Sequence, residues 1–259
     1  MLVDELVDAW SGLGRSHRKP ERINVLKNRH EKPKVCRLVS GAPAGGDIIA
    51  KRSSSTAVEP VLYERVLATV PGTPRCHGIA PGRDSGGCWI FLEHVEGEWY
   101  AAGRVEHRTL TARWLNDVYS ITSNLPLSEG LTDDVRPALV HGDLQSKKVR
   151  IRRRAGGVRL IAFDWEFSGF GVPAADFAEF AVGGRWRELS GILEQMGFTY
   201  GSPRDRLRRL ATAGRVFRLI TWFEWASRGA RHASPRSVNS IALYDQVLDE
   251  CLTSLNTDT

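Results

Sequence analysis

Residues 140–149 of the chain read VHGDLQSKKV, and residues 161–166 read IAFDWE. In the first stretch Asp143 follows a histidine and a glycine, within a segment whose pattern is typical of a loop. In the second stretch Asp164 directly follows the apolar run 160–163, which predicts a short strand. A loop aspartate and a strand-end aspartate therefore lie close together in the sequence, and they decide how the rest of the chain is interpreted.

The size and composition of the chain are typical of a globular protein. Its 259 residues can bury a large core, as one domain or as two closely packed lobes. Hydrophobic residues make up 42% of the sequence, and no apolar run approaches the roughly 18 residues that span a bilayer. The first eight residues are acidic and amphipathic, unlike a signal peptide. We therefore predict no membrane association and a cytoplasmic location.

The chain is basic, with a formal net charge of +6 and a pI near 9.3. The arginines are concentrated in residues 15–34, 150–154 and 204–236. Two interpretations stay open: solvated basic faces, or a surface for an acidic partner or a phosphorylated ligand. Because these segments contain no DNA- or RNA-binding motif, we predict no nucleic-acid binding.

The cysteines lack zinc or redox spacing, so we predict reduced, buried thiols at Cys36, Cys76, Cys88 and Cys251.

The first third of the chain predicts strands around one main helix. Residues 35–39 and 47–52 flank the Gly- and Pro-rich segment 40–46, a pattern that indicates two antiparallel strands and a turn. Lys51 lies near the end of the second strand. Residues 57–70 follow a cluster of helix-capping residue types and predict a helix, with its proline tolerated in the first turn.

The remaining elements divide the chain into two predicted lobes. The apolar run 88–95 between glycines predicts a buried strand, and helical periodicity dominates from Thr109 onward. That periodicity is interrupted by the loop 138–148 and by a hairpin turned at 155–157. We predict a β-rich lobe of residues 1–97 with a linker at 93–97, and a larger helical lobe of residues 98–259. The predicted hairpin consists of strands 149–152 and 160–163.

The order of the charged residues matches the parts that phosphoryl transfer requires. That reaction needs positioned phosphates, a metal ion held by carboxylate or amide oxygens, and a carboxylate facing the attacking hydroxyl. A strand lysine, a helical glutamate that orients it, a loop aspartate and a strand-end aspartate would supply these parts. The chain carries them in this order as Lys51, Glu59 or Glu64, Asp143 and Asp164.

These motifs resemble the aminoglycoside phosphotransferase and choline kinase group, which phosphorylates hydroxyls of small molecules. The resemblance covers about residues 35–180. It implies an α+β, bilobal, protein-kinase-like fold, with a small antiparallel sheet and one main helix in the first lobe and a mostly helical second lobe. It rests on several motifs in the family's order: IAKR at 49–52, EPVLY at 59–63, WIFLE at 89–93, VHGD at 140–143, IAFDWE at 161–166 and GFGVPAADF at 169–177.

The resemblance implies a role for each matching charged residue. Asp143 would face the acceptor hydroxyl as general base or orienting group, and Asp164 would hold Mg²⁺ on the phosphates of ATP. Lys51 would contact the α- and β-phosphates. Glu59 is favoured over Glu64 as its ion-pair partner, because the tyrosine four residues after Glu59 matches the family's spacing. Whether the nucleotide is ATP or GTP stays open.

Other residues of these motifs would support the site. His141, in the catalytic loop 140–149, is interpreted as bracing that loop rather than carrying a proton, and Gly142 as permitting an unusual backbone path. Backbone groups at Glu93 and Val95, in the linker between the lobes, would recognise adenine. Asp176 resembles the family's helix aspartate that braces the loop from behind.

Lys148 is the main departure from the family pattern, which places a metal-binding asparagine there. A charged lysine has three donors and no acceptor, so it cannot bind a second Mg²⁺. Two outcomes stay open. Lys148 could supply positive charge in place of that ion and leave a competent kinase, or it could mark a pseudokinase that binds nucleotide weakly, or not at all, and acts through a partner.

The acceptor side also departs from the family. Residues 181–238 carry eleven arginines and four acidic residues, a charge that would repel a polycationic aminoglycoside. An acidic or peptide acceptor fits better. Peptide kinases resembling this family act in the biosynthesis of ribosomal peptide natural products, where a separate lyase eliminates the phosphate that the kinase adds. For a chain with that role, the lyase would be a partner protein. A small metabolite stays an alternative. The apolar stretch 222–225 is predicted to pack in the core or within its lobe, with an exposed partner surface as the alternative.

Overall fold

We analysed the chain in a computed structural model. It describes residues 2–14, 19–28, 34–40, 46–83, 86–123, 137–171, 173, 176, 191–192, 194, 204–230 and 235–257. By packing, the chain divides into two compact units. The first unit comprises Met1–Trp99 and Val149–Phe167, and the second comprises Tyr100–Lys148 and Ser168–Thr259.

The first unit is built on a five-stranded antiparallel sheet with the strand order β1-β2-β3-β5-β4. Apolar residues alternate along the central strands, so one face of the sheet packs against the core. Side chains of Leu38, Ala50 and Phe91 are buried there. The strands are β1 (Arg22–Lys27), β2 (Lys34–Val39), β3 (Ile48–Ser54), β4 (Cys76–Pro81) and β5 (Gly87–Glu93).

An amphipathic N-terminal helix, α1 (Leu2–Gly12), covers this apolar face. Leu6 is fully buried, and the ring of Trp10 lies 5.0 Å from that of Phe91. On the polar side of the helix, a carboxylate oxygen of Glu5 accepts hydrogen bonds from the indole N–H of Trp89 at 3.2 Å and from a guanidinium N–H of Arg52 at 3.0 Å. The helix is therefore fixed by both apolar packing and buried polar contacts.

The second helix of this unit, α2 (Val58–Arg65), ends earlier than the predicted 57–70. The backbone N–H groups of Val66 and Leu67 both donate to the carbonyl of Leu62, at 2.9 and 2.8 Å, so the chain turns at this point. The hydroxyl of Thr69 then donates to the carbonyl of Val66 at 2.8 Å, a side-chain bond that competes with helix continuation. As predicted, Pro60 lies in the first turn.

A second, three-stranded sheet contains the predicted hairpin and confirms it. Its order is β6-β8-β9, with β6 (Glu98–Trp99), β8 (Val149–Arg154) and β9 (Gly157–Ala162). Gly97 precedes β6 with a φ of 153°, and a Cβ there would lie 2.5 Å from the carbonyl oxygen of Ile151. Because no larger residue could approach so closely, this glycine permits the strand pairing.

The described part of the second unit is mainly helical. Its helices are α3 (Val105–Thr122), α4 (Arg204–Ala230) and α5 (Pro235–Thr257). Trp222 and Phe223 of α4 are half-buried and pack on the ring of Tyr244 in α5, at ring-centroid distances of 5.4 and 5.9 Å. These two residues thus contribute to packing between helices, as predicted for the stretch that contains them.

The prediction of an unbroken loop over residues 138–148 is wrong at its start. Residues 138–140 form β7 (Ala138–Val140), which pairs antiparallel with β10 (Gly169–Gly171). The loop itself begins at His141 and closes in a 3₁₀ turn, Ser146–Lys148. The partner strand lies about 30 residues further along the chain, and local composition carries no signal for such a pairing.

Two strands of the first sheet, β1 and β4, were not predicted from the sequence. β1 lies within the basic segment 15–34 and exposes most of its side chains as an edge strand. β4 is the other edge strand and contains a glycine at position 78 and a proline at 81. Edge strands need only one partner and one buried face, so their residues do not alternate as clearly as those of central strands.

The compact units also differ from the predicted lobes in one respect. Residues 149–167 pack with the first unit, although the predicted boundary at residue 97 assigned them to the second lobe. The backbone explains the difference, because β6 pairs with β8 and the N–H of Ala162 donates to the carbonyl of Gly72 at 2.8 Å.

The predicted burial of the cysteines is confirmed for two of the four and wrong for Cys76 and Cys88, which lie on or beside the edge of the first sheet. All four thiols are free; Cys36 and Cys251 are buried, while Cys76 and Cys88 are half-buried. Within the described residues, no helix is both long and apolar enough to cross a membrane.

Replacing Leu6 with alanine tests the packing of α1. We expect the free energy of unfolding to fall by about 2–5 kcal/mol, because a fully buried leucine leaves a cavity when truncated. Val3, on the same helix, is 41% exposed, and Val3→Ala should cost less than about 1 kcal/mol. Urea denaturation measures both, and equal losses would show that α1 does not cover the core.

Candidate active site

Lys51 lies at the centre of a group of three carboxylates in the first unit. Its ammonium nitrogen is 2.6 Å from a carboxylate oxygen of Glu59, 2.7 Å from Asp164 and 3.1 Å from Glu166. The side chain of Lys51 is 8% exposed and that of Glu59 is 1% exposed. The carboxylates of Asp164 and Glu166 are 22% and 29% exposed, so one side of the group faces water.

The carboxylates keep Lys51 charged despite its burial. Burial by itself lowers the pKa of a lysine, because the charged form loses its hydration. Here the negative charges of Glu59, Asp164 and Glu166 outweigh this effect and raise the pKa of Lys51 above its usual value. The group therefore presents a fixed ammonium ion rather than a neutral amine.

Secondary structure explains how these residues meet. Lys51 lies on the central strand β3, paired with Val35 on one side and Ile90 on the other. Glu59 lies in the first turn of α2, and its second oxygen accepts the backbone N–H of Trp165 at 3.0 Å. Glu59 thus holds both the strand lysine and the segment that follows β9. Glu64 is exposed, so of the two candidates Glu59 is the residue that pairs with Lys51.

The backbone at Asp164 is unusual. Its φ is 73°, and among the described residues it is the one non-glycine with a positive φ. The next residue, Trp165, is fully buried and donates its indole N–H to the carbonyl of Ala162 at 3.2 Å, which anchors the turn. Strained backbone that the surroundings hold in place is concentrated at functional sites, so this geometry supports a functional role for Asp164.

In the second unit, Asp176 holds the backbone of the loop that carries Asp143. Its carboxylate accepts the N–H groups of His141 and Gly142, each at 2.9 Å, and the hydroxyl of Tyr119 at 3.1 Å. Gly142 has a φ of 74°, which confirms the predicted unusual backbone path. The carboxylate of Asp176 therefore fixes the loop from behind, as the sequence motif implied.

His141 makes one hydrogen bond through its ring and one through its backbone carbonyl. It is 1% exposed, and its Nδ1 accepts the backbone N–H of Asp143 at 3.4 Å. Its carbonyl accepts the hydroxyl of Ser168 at 3.0 Å. A buried ring whose nitrogen is used within the loop favours the bracing role over proton transfer.

Asp143 itself is surrounded by donors. Lys148 makes a short ion pair with one carboxylate oxygen. The other oxygen lies 3.2 Å from a guanidinium nitrogen of Arg218 and 2.5 Å from the amide nitrogen of Gln145. The guanidinium of Arg218 also lies 5.8 Å from the ring centroid of Trp222, on the same helix, α4. Lys148 therefore neutralises Asp143 directly in this structure.

Solved structures with the same architecture include several kinases. The chain is similar to a GDP complex of an aminoglycoside 2′-phosphotransferase, with a TM-score of 0.67, 12% identity and coverage of 100% of this chain and 99% of that one. It is similar to a choline/ethanolamine kinase family protein from Mesorhizobium loti, with a TM-score of 0.65, 14% identity and coverage of 98% and 94%. The chain has a kinase-like fold.

A third structure with this fold is a microcompartment-associated aminopropanol kinase, at a TM-score of 0.63, 12% identity and coverage of 92% and 93%. No protein-family profile matches the chain, and no curated protein matches it by sequence. Identities this low establish the fold and not the activity, because one fold hosts many functions. The predicted fold class and the resemblance to this group are confirmed at the level of architecture.

Some of the similar structures are GDP complexes, and the first unit of this chain has residues that would fit a metal ion and a nucleotide. Asp164 and Glu166 offer partly exposed carboxylate oxygens, the hard ligands that Mg²⁺ prefers. No group of three or more His, Cys, Asp or Glu side chains among the described residues could hold a metal ion. An Mg²⁺ ion bound through one or two carboxylates and the oxygens of a nucleotide is consistent with both observations.

In the kinase-like fold the predicted linker residues lie at the end of β5. The backbone N–H of Glu93 donates to the carbonyl of Arg75, and that of His94 donates to the carbonyl of Asp47, each at 2.8 Å. These two donors are used within the first unit. The carboxylate of Glu93 pairs with Arg152 at 2.8 Å. Base recognition by the linker would therefore depend on carbonyls and on Val95, a role that stays a prediction.

The sequence reasoning missed two residues of these groups. Glu166 belongs to the quoted motif at 161–166, and its position two residues after Asp164 was the available signal. Arg218 is one of many arginines in segment 204–236, and nothing in its local sequence distinguishes it. Only the packing of α4 brings its guanidinium to Asp143.

Replacing Glu59 with glutamine tests its ion pair with Lys51. We expect the free energy of unfolding to fall by about 3 kcal/mol, because the change removes one partner of a buried charge pair. The same substitution at the exposed Glu64, on the same helix, should change stability by less than about 0.5 kcal/mol. Urea denaturation distinguishes them, and a larger loss in Glu64→Gln would show that Glu59 is not the partner.

The Asp176 carboxyl should make stability depend on pH. Burial raises its pKa from 3.8 to about 6, against the donors of His141, Gly142 and Tyr119. The folded chain then holds the proton more tightly than the unfolded chain, so this group's contribution to stability falls as pH rises from about 4 to about 6.

We expect wild-type stability, measured relative to Asp176→Asn, to decrease by about 3 kcal/mol across this range. Urea denaturation at several pH values measures the difference. As the matched control, Ser120→Ala changes an exposed residue of α3 without removing a carboxyl, so its difference from the wild type should be nearly constant. A difference for Asp176→Asn that does not vary with pH would contradict the assignment.

Proposed function

We propose that the chain is a nucleotide-dependent phosphotransferase that moves the terminal phosphoryl group of a nucleoside triphosphate to a hydroxyl of an acceptor. The observation that carries this proposal is the buried ion pair of Lys51 and Glu59, with Asp164 at 2.7 Å from the same ammonium. A fixed cation beside partly exposed carboxylates can receive phosphate oxygens and their metal ion together.

Lys51 would bind phosphate oxygens of the nucleotide, which we take to be ATP or GTP. Its charge is maintained by the surrounding carboxylates, so it needs no proton from the ligand. Asp164, with Glu166 beside it, would hold Mg²⁺, which when bound neutralises charge on the phosphates. The ion pair with Lys51, at 2.7 Å, holds the carboxylate of Asp164 in place before any ligand arrives.

Asp143 would position the acceptor hydroxyl and take its proton. As the oxygen of the hydroxyl bonds to the terminal phosphorus, the bond from that phosphorus to its bridging oxygen breaks, and the electron pair leaves with the nucleoside diphosphate. The contacts of Asp176 with His141 and Gly142 hold the loop at a fixed geometry for this step. A rigid loop limits the reorganisation that transfer requires.

The charges around Asp143 bear on the acceptor. The structural neighbours are named for aminoglycosides, choline or ethanolamine, and aminopropanol, all of which carry amines. Lys148 and Arg218 both lie against Asp143 and would repel a cationic group placed beside the reacting hydroxyl. We therefore propose a neutral or acidic hydroxyl compound, either a small metabolite or a peptide. If the acceptor is a peptide, we propose a separate lyase as the partner protein.

A second candidate is a pseudokinase that acts through a partner protein. The observation that favours it is that both oxygens of Asp143 already have cationic partners, Lys148 and Arg218. In that case the chain would bind nucleotide weakly or not at all and would transfer no phosphate. Nucleotide binding and turnover, measured separately, distinguish the two candidates.

Nucleotide binding should depend on Lys51. We expect ATP or GTP with Mg²⁺ to raise the melting temperature of the wild type, because a ligand that binds only the folded state stabilises it. In Lys51→Met the affinity should fall about 10- to 100-fold, since a charge-assisted phosphate contact is lost. Lys147→Met, an exposed lysine, should bind like the wild type. An unchanged affinity in Lys51→Met would contradict the assigned role.

Turnover should depend on Asp143. We expect Mg²⁺-dependent release of nucleoside diphosphate to fall about 100- to 10,000-fold in Asp143→Asn, because the group that accepts the proton is lost. The exposed Asp117→Asn should retain wild-type turnover. A wild type that binds nucleotide but releases no diphosphate with hydroxyl acceptors would support the pseudokinase, and full turnover in Asp143→Asn would contradict the mechanism.

A further inference from the structure

Lys148 occupies a defined place in the loop of the second unit. It ends the 3₁₀ turn Ser146–Lys148, and its backbone N–H donates to the carbonyl of Gln145 at 2.7 Å. Its side chain is 8% exposed and its ammonium contacts the carboxylate of Asp143. The turn therefore directs the lysine back onto the aspartate that precedes it by five residues.

This position has a known use in protein kinases. There, an asparagine five residues after the loop aspartate supplies an oxygen ligand to a second magnesium ion. Lys148 stands at the same spacing from Asp143 but carries only donors, so it offers no ligand to a metal ion. A second divalent ion does not fit the residues present.

The charges around Asp143 also disfavour a second divalent ion. Two cationic groups, Lys148 and Arg218, contact the single carboxylate of Asp143, and the amide nitrogen of Gln145 is a further donor to it. Any divalent cation approaching this carboxylate would meet two positive charges at contact distance. Displacing the ammonium of Lys148 would also break a buried ion pair, which is costly.

We propose that Lys148 is a built-in cation that replaces a second metal ion, so that the nucleotide complex of this chain binds one divalent cation. The inference rests on the proposed nucleotide binding but not on turnover. The first unit would hold the one ion through Asp164 and Glu166, whose carboxylates are partly exposed. In the second unit, the ammonium of Lys148 supplies the positive charge instead.

Counting bound Mn²⁺ tests this inference without relying on activity. The probe is Mn²⁺, titrated into the protein with a saturating non-hydrolysable analogue of ATP or GTP, and free Mn²⁺ is measured by electron paramagnetic resonance. We expect one tightly bound equivalent in the wild type. In Lys148→Asn, where an amide oxygen replaces the ammonium, we expect a second equivalent. Lys147→Asn, the exposed neighbour, should bind one equivalent, like the wild type.

Each result decides a specific point. Two tightly bound equivalents in the wild type would overturn the inference, whatever the variants do. One equivalent in both Lys148→Asn and Lys148→Gln, with the fold intact by circular dichroism, would show that Lys148 is not what excludes the second ion. If neither analogue raises the melting temperature of the wild type, the proposed nucleotide binding fails, and the inference falls with it. A loss of the tight equivalent in Asp164→Asn would locate the single ion in the first unit.

Discussion

Lys51 and Glu59 form an ion pair that is largely closed off from water, and the two residues connect three elements of the first unit. The lysine belongs to the central strand β3 and the glutamate to the first turn of α2. The second oxygen of Glu59 holds the backbone at Trp165, next to Asp164. If this pair did not form, a buried charge would lack its partner, and α2 would lose a polar contact that connects it to the sheet.

In the second unit, a buried carboxylate has a comparable part in fixing the backbone. Asp176 uses both oxygens on the loop and on Tyr119, so the loop's position is set before any side chain of the loop meets a ligand. The resulting geometry leaves Asp143 facing Lys148 and Arg218. The chemistry of this unit thus depends on two cations that share one carboxylate. This arrangement differs from a site that binds a second metal ion.

Much of the fold was predictable because its central elements carry strong local signals. β2, β3, β5 and the hairpin of β8 and β9 are continuous or alternating apolar runs bounded by turn residues, and all were predicted close to their observed limits. The edge strands β1 and β4 were missed although each pairs with the next strand along the chain, because edge strands alternate less clearly than central ones. The pair of β7 and β10 was missed because its two segments lie about 30 residues apart. α2 was predicted too long, because the turn at the carbonyl of Leu62 and the side-chain bond of Thr69 end the helix within an otherwise helical pattern.

By itself the sequence determined the order of the chemical groups: a strand lysine, a helical glutamate, a loop aspartate and a strand-end aspartate, with a lysine at the loop's last position. That order is local information, since each group lies within its own short motif. The sequence also favoured Glu59 over Glu64, and the structure shows the ion pair of Glu59 with Lys51. Only the tertiary structure placed Glu166 on Lys51 and brought Arg218 to Asp143. The contacts of Glu166 and Arg218 join residues far apart in the chain, and the burial that strengthens them arises only when the elements pack together.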